Sequence, residues 1–142
     1  MLRVVPRRLR SWTLRDCAAL IESVLVAVLI EVALPLLPMS TILRMVEGIP
    51  SKRMANPLEA HPERLVRWAS APYRLFGLSA NCLRRSLVLC ALLRRRGVTA
   101  HLCFGVDRAG SALAAHAWVA IAGVSTEMIP SRFHELPRPW SV

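Results

Sequence analysis

Residues 17–37 read CAALIESVLVAVLIEVALPLL, an apolar run long enough to cross a bilayer, so it decides first between a membrane span and a packed helical layer. Glu22 and Glu31 interrupt it nine residues apart, and at ~100° per residue they point to opposite sides of a helix. A spanning helix would have to bury at least one carboxylate, at about +2.5 to +3.5 kcal/mol near the bilayer centre. The uncharged run between them, residues 23–30, is only eight residues long. We therefore read a buried or partner-facing helix, with weak membrane association through its apolar surface as the alternative.

The chain has 142 residues, enough for one domain or a domain with a helical extension, and at 54% hydrophobic it can bury a real core. Its formal charge is +10, and of the nineteen basic residues only Lys52 is a lysine. That bias, beside abundant Ala, Val, Leu and Pro, reports a GC-rich genome as readily as a function. The charge reads first as a soluble basic surface; as a partner signal it suits an acidic peptide, nucleic acid or anionic lipid. The arginines are spread out and not interleaved with aromatics, and no nucleic-acid motif is visible, so no nucleic-acid partner is expected. The cysteines are Cys17, Cys82, Cys90 and Cys103; none form CxxC, and no Cys/His spacing fits zinc, so no metal is expected. Cys82 and Cys90 fall in one predicted helix, roughly 12 Å apart along its axis, too far to bridge each other. Without a secretory signal and cleavage site, free thiols in a reducing, cytoplasmic setting are expected.

Along the chain, a basic arm, RVVPRRLRSW, precedes a helix expected from near Thr13 and Asp16 to Leu34, stopped by Pro35 and Pro38. A second helix is expected over 40–46, capped by Ser or Thr and followed by Gly48. IPSKRMANPLEAHP reads as a loop, and PERLVRWASAPYRL as a helix from Pro62 with Leu65, Val66 and Ala69 on one side. Asn81 can cap a helix that starts at Cys82 and runs to Arg95 or Arg96, with Gly97 as its left-handed terminator. In VTAHLCFGV, Val98, Ala100, Leu102, Phe104 and Val106 alternate on one face, a strand signal. DRAGSALAA reads as a turn or loop, HAWVAIAGVSTEMI as two strands joined near Ala122 and Gly123, and LPRPWSV as irregular. This order predicts an α+β fold with the Cys82 helix packed on an antiparallel sheet. Residues 1–76 form a helical N-terminal segment and 77–142 the core, in one compact unit.

A thiol is a strong nucleophile only as thiolate, and unpaired N–H groups in the first turn of a helix favour that anion. Cys82 is placed there, although buried cysteines without chemistry are common. The same N–H groups suit the oxyanion of a tetrahedral intermediate. His116, in AHAWVAI, is a polar residue among small and apolar neighbours on a strand. A cysteine at a helix start and a histidine on a sheet strand are the parts of a thiolate–imidazolium pair. After Cys82 the acids are Asp107, Glu127 and Glu135. If the hairpin pairs Ile121 with Val124, Trp118 lies opposite Glu127 and His116 opposite Ile129, with all four on one face. Glu127 is then a diagonal neighbour of His116, roughly 7–8 Å away between Cα atoms, which a glutamate can bridge. Asp107, placed on a loop, is the second choice.

NCLRRSLVLCALLRRRGVTAHLCFGV followed by AHAWVAIAG resembles the transglutaminase-like cysteine peptidase of lasso-peptide biosynthesis. The similarity lies in the Cys-Leu-x-Arg-Ser helix, the Leu-Leu-Arg-Arg-Arg-Gly helix end, the strand ending in Gly-Val and the His-Ala-Trp-Val strand, over residues 78–130. The resemblance implies a transglutaminase-like, papain-like core with Cys82 as nucleophile and His116 as general base. Its acid, usually an aspartate after the HAW strand, falls nearest Glu127. Where the family often has Glu-x-Asp-Gly after HAWV, this chain has Ala120-Ile121-Ala122-Gly123. The implied reaction removes the leader from a ribosomal precursor, without a cofactor, and frees the core's amine for a separate asparagine-synthetase-like cyclase. The first segment is helical where a leader-recognition module needs strands, so the standalone form is expected, with the recognition protein in trans.

Other residues have plainer readings. Trp118 packs over the pair or belongs to the core. Ser86 bonds near Cys82 or to its own helix, and His101 faces solvent. Cys90 and Cys103 are buried thiols, and Arg94, Arg95 and Arg96 complement the helix C-terminus. Two other functions fit the same parts: a non-catalytic scaffold using the apolar helices, and acyl transfer to an amine in place of water.

Overall fold

The computed structural model describes residues 13–50, 62–77, 81–107 and 112–137. Helix α1 spans Leu14–Leu36, α2 Met39–Glu47, α3 Pro62–Leu75 and α4 Cys82–Arg95; strand β1 spans Ala100–Asp107, β2 Ala114–Ile121, β3 Val124–Ser125 and β4 His134–Glu135. The fold is α+β, four helices against an antiparallel sheet of order β3-β2-β1-β4. Most of the expected loop over 49–62 lies outside the described residues.

Helix α1 starts on a capping box: Thr13 Oγ1 accepts from the Asp16 N–H, and the Thr13 N–H donates back to Asp16 Oδ2 at 3.0 Å. It runs through Pro35, past the expected stop at Leu34. So late in the helix, the missing proline N–H forfeits one bond, and the Leu37 N–H still reaches the Ala33 carbonyl at 2.8 Å. Pro38 ends it, because the residue before a proline is driven out of the helical region, and Leu37 is extended at φ −122°. Helix α2 is capped by no serine or threonine side chain; the Pro38 carbonyl takes the N–H groups of Thr41 and Ile42.

Helix α4 lies between the other helices and the sheet. Residues 86–93 are buried on every side, with Leu87, Val88, Leu92 and Leu93 fully enclosed. Two carboxylates of α1 grip its two ends. Glu31 lies 3.3 Å from Arg84 Nε, while Glu22 meets Arg95 Nε at 2.8 Å and Arg96 Nη2 at 2.7 Å. Both glutamates meet α4 from the borders of the packed stripe of α1, where long arginine side chains reach them. Arg95 and Arg96 therefore do more than complement the helix end, although Arg96 Nη1 also donates to the Leu92 carbonyl at 3.3 Å. Arg94 turns instead to the Ala100 carbonyl, 3.0 Å away, tying α4 to the start of β1.

The β2–β3 hairpin turns at Ala122 (φ 50°) and Gly123 (φ 80°), a pair of positive φ values that matches the twist of the strands. Ile121 pairs with Val124 as the sequence predicts. Strand β3 then stops after Ser125, because the Ser125 hydroxyl takes the Glu127 N–H and donates to the Glu127 carbonyl, bending the chain. The expected pairings of Trp118 with Glu127 and His116 with Ile129 are accordingly not made. A fourth strand, β4, escaped the sequence reading; it adds to β1 at Gly105 and Val106.

Candidate active site

Asn81 caps α4: its Oδ1 accepts the Arg84 N–H at 2.9 Å, and its carbonyl takes the Arg85 N–H at 3.3 Å. Cys82 is therefore the first residue of the helix, partly buried, as the sequence predicts. The N–H groups of Cys82 and Leu83, orphans of the helix start, have no acceptor among the described residues. One turn on, the Ser86 hydroxyl donates to the Ala117 carbonyl at 3.0 Å, across to the strand residue that follows His116. The hydroxyl thus bonds to β2 and not within its own helix.

His116 lies opposite Gly105 in the β1–β2 ladder. Strand alternation puts Ala117 and Val119 on the face toward α4, and His116, Trp118 and Ala120 on the other. On that second face His116 is flanked by two aromatic rings, Trp118 stacked at 5.9 Å and Phe133 tilted at 5.4 Å between centroids. Glu127 closes the arrangement, with His116 Nε2 3.1 Å from its Oε1 and the ring N–H donating. Trp118 belongs to the core, in a small buried cluster with Cys103 and Ala120, while its ring also stacks on His116.

Cys82 and Glu127 line one cleft of about 50 Å³, together with Val66, Ala69, Ser86 and Thr126. Val66 is exposed in the cleft wall, whereas Leu65 and Ala69, expected on the same side, are buried. The structure therefore brings His116 and Glu127 into contact and places Cys82 across a cleft from Glu127. No hydrogen bond joins the Cys82 thiol to the imidazole among the described residues. Asp107 is the last residue of β1, not a loop residue, and its carboxylate lies 3.4 Å from Arg132 Nε. Among the described residues no three His, Cys, Asp or Glu side chains converge to hold a metal ion. None of the four cysteines forms a disulfide, and Cys90 and Cys103 are buried.

A family model described as the transglutaminase-like superfamily matches residues 24–135. The chain belongs to the transglutaminase-like superfamily. No curated protein and no solved structure matches it. Members of the superfamily are generally cysteine-based enzymes, peptidases or acyl transferases in character, and the helices-on-sheet architecture agrees with it. The superfamily match takes in Cys82, His116 and Glu127, most of α1 and the whole sheet.

Two features of this candidate site were not expected from the sequence pattern. Phe133 reaches His116 from a turn beside β4, a contact no local pattern announces. Gly105 is the other: a Cβ there would stand 2.8 Å from Trp118 Cη2 and Cζ3, so the indole occupies the space a side chain would take. The Gly-Val strand end carried that signal, because glycine within a strand often marks a close approach.

Deeper in the molecule, the Tyr73 hydroxyl is buried against Glu31. Burial first, and the neighbouring carboxylate second, push its pKa well above the ordinary value of 10.0. Tyr73, Glu31 and Arg84 join α3 and α1 to the first turn of α4, the turn that begins at Cys82.

Proposed function

We propose that this chain is a cysteine peptidase that removes the leader from a ribosomal lasso-peptide precursor, with Cys82 as nucleophile, His116 as general base and Glu127 as the acid that orients it. The observation that carries the reading is the 3.1 Å contact of His116 Nε2 with a carboxylate that also lines the cleft of Cys82. With Nε2 engaged, Nδ1 is the nitrogen left to exchange a proton with the thiol. Catalytic hydrogen bonds of this kind often tighten only in the substrate complex.

In the reaction, His116 takes the Cys82 proton and sulfur adds to the scissile carbonyl carbon. The N–H groups of Cys82 and Leu83 face the developing oxyanion. Collapse breaks the C–N bond, and the departing amine of the core takes the proton from His116. Water, deprotonated by His116, then adds to the thioester carbonyl and releases the leader as a carboxylate with the thiol restored. The amine so freed is what an asparagine-synthetase-like cyclase needs. The leader is presented by a recognition protein in trans, and the reaction is cytoplasmic. The Leu-Leu-Arg-Arg-Arg-Gly and His-Ala-Trp-Val segments support the lasso-peptide assignment through their resemblance to that family.

The test is cleavage of precursor by this chain in the presence of the recognition protein. Cys82→Ala is expected to fold with an unchanged melting temperature and to cleave nothing. Undiminished cleavage by the folded variant would sink the proposal. The mass of the released leader distinguishes hydrolysis from transfer to an amine.

A further inference from the structure

Helix α1 has two unlike faces. Its inner face is fixed to the body of the protein by the Glu22 and Glu31 ion pairs and by a hydrogen bond from Ser23 Oγ to the Trp68 carbonyl. Its outer face carries Leu14, Ile21, Leu25, Val28, Val32 and Leu36, all at least half exposed: Ile21 is 61% exposed, Leu25 59% and Val32 54%. They recur three, four or seven residues apart, so they form one stripe along about 34 Å of helix at ~1.5 Å per residue. No charged residue interrupts that stripe; the acids of α1 beyond its first turn, Glu22 and Glu31, are its borders with the core. Beside it, Leu29 opens into an apolar groove of about 240 Å³ shared with Val26, Met45 and Ile49.

A continuous apolar stripe of this length marks an interaction surface, and charge selects what covers it. The chain carries +10, and its sequence places Arg3, Arg7, Arg8, Arg10 and Arg15 immediately before or at the start of this helix. A second copy would bring a second +10 against the first, whereas an anionic surface is drawn to it. An apolar helical face with arginines preceding it in sequence is drawn to the interface of an anionic membrane. Crossing the bilayer is a different matter, since it would strip Glu22 and Glu31 from their arginines.

We propose that the outer face of α1 docks the protein on an anionic lipid bilayer, with α1 lying along the surface and the arginines around its start meeting the headgroups. This surface is separate from the cleft at Cys82 and does not depend on the reaction assigned to it. The experiment is sedimentation of the full chain with vesicles, either phosphatidylcholine alone or phosphatidylcholine mixed with phosphatidylglycerol. Binding to the mixed vesicles is expected, with little binding to the neutral ones. It should weaken as NaCl rises from about 0.1 M to about 1 M and the Debye length shrinks from about 10 Å to about 3 Å. The double variant Leu25→Glu, Val32→Glu is expected to bind at least about tenfold more weakly while keeping its helical circular dichroism. Arg7→Gln with Arg8→Gln, which leaves α1 untouched, should weaken binding to the mixed vesicles alone. Vesicle binding unchanged in the glutamate variant overturns the proposal, as does equal binding to neutral vesicles. A protein that ignores vesicles but forms a dimer broken by Leu25→Glu also overturns it and assigns the stripe to a second copy.

Discussion

The face of the sheet that α4 covers and the face that carries His116 are held in different ways. On the first, Leu102 and Val119 meet a helix whose residues 86–93 are buried on every side and whose ends are clamped by two carboxylates of α1. On the second, the buried cluster is Cys103, Trp118 and Ala120, with Ile129 packed against it, and Glu127 is 43% exposed in its side chain. Cys82 begins the helix of the deep layer, and the His116–Glu127 pair sits on the thin one. The lesson is that the position of Cys82, the proposed nucleophile, follows from the helix of the main core, whereas the orientation of the imidazole depends on a few aromatic contacts and one surface carboxylate. Stability and activity should therefore respond differently on the two faces.

The largest stability effect is expected on the deep face. Leu92→Ala removes a fully buried side chain near the end of α4 and should cost about 2–5 kcal/mol, read as a lower melting temperature. Gly105→Ala, on the thin face, forces the Trp118 ring to move and should cost about 1–3 kcal/mol. Because the ring stacks on His116, that variant should also lose more cleavage than its stability loss explains. If Gly105→Ala melts lower yet cleaves like wild type at a permissive temperature, the thin face does not hold the base.

Tyr73 gives a pH signature of the deep layer. Its raised pKa means that the folded chain keeps the phenolic proton when the unfolded chain has lost it. This contribution is full below the unfolded value near 10.0 and is lost as pH rises through the folded value, so stability falls on the alkaline side. Tyr73→Phe should flatten that part of a denaturation-against-pH curve. The smallest stability effect belongs to Glu127→Gln, within about 0.5 kcal/mol at so exposed a side chain. Its kcat should nevertheless fall roughly 100-fold or more, because the amide no longer stabilises the imidazolium.

What could be read from the sequence divides along chemical lines. The Asn81 cap, the start of α4 at Cys82, the left-handed Gly97 (φ 82°) and the turn at Ala122 and Gly123 were legible, because each rests on the conformational preference of one or two residues. The ends of α1 and β3 were not. Pro35 looked like a stop, but at the last turn its missing N–H forfeits little, and Ser125 broke a strand through a side-chain bond that alternation does not encode. Glu127 illustrates both halves: its placement beside His116 was anticipated, but from a strand pairing that does not form. Phe133 and the clamp of Glu22 on Arg95 and Arg96 join positions far apart in sequence, and only packing brings them together.

The central claim is that Cys82 and His116 act as a pair although they approach β2 from opposite faces. The most direct measurement is the rate of iodoacetamide alkylation at Cys82, resolved from the exposed Cys17 by peptide mass spectrometry, in the wild-type chain and in His116→Ala. The account predicts a Cys82 that reacts faster than a model thiol at neutral pH, with that excess lost when His116 is removed. Equal rates in the two proteins, both matching the model thiol, would contradict it.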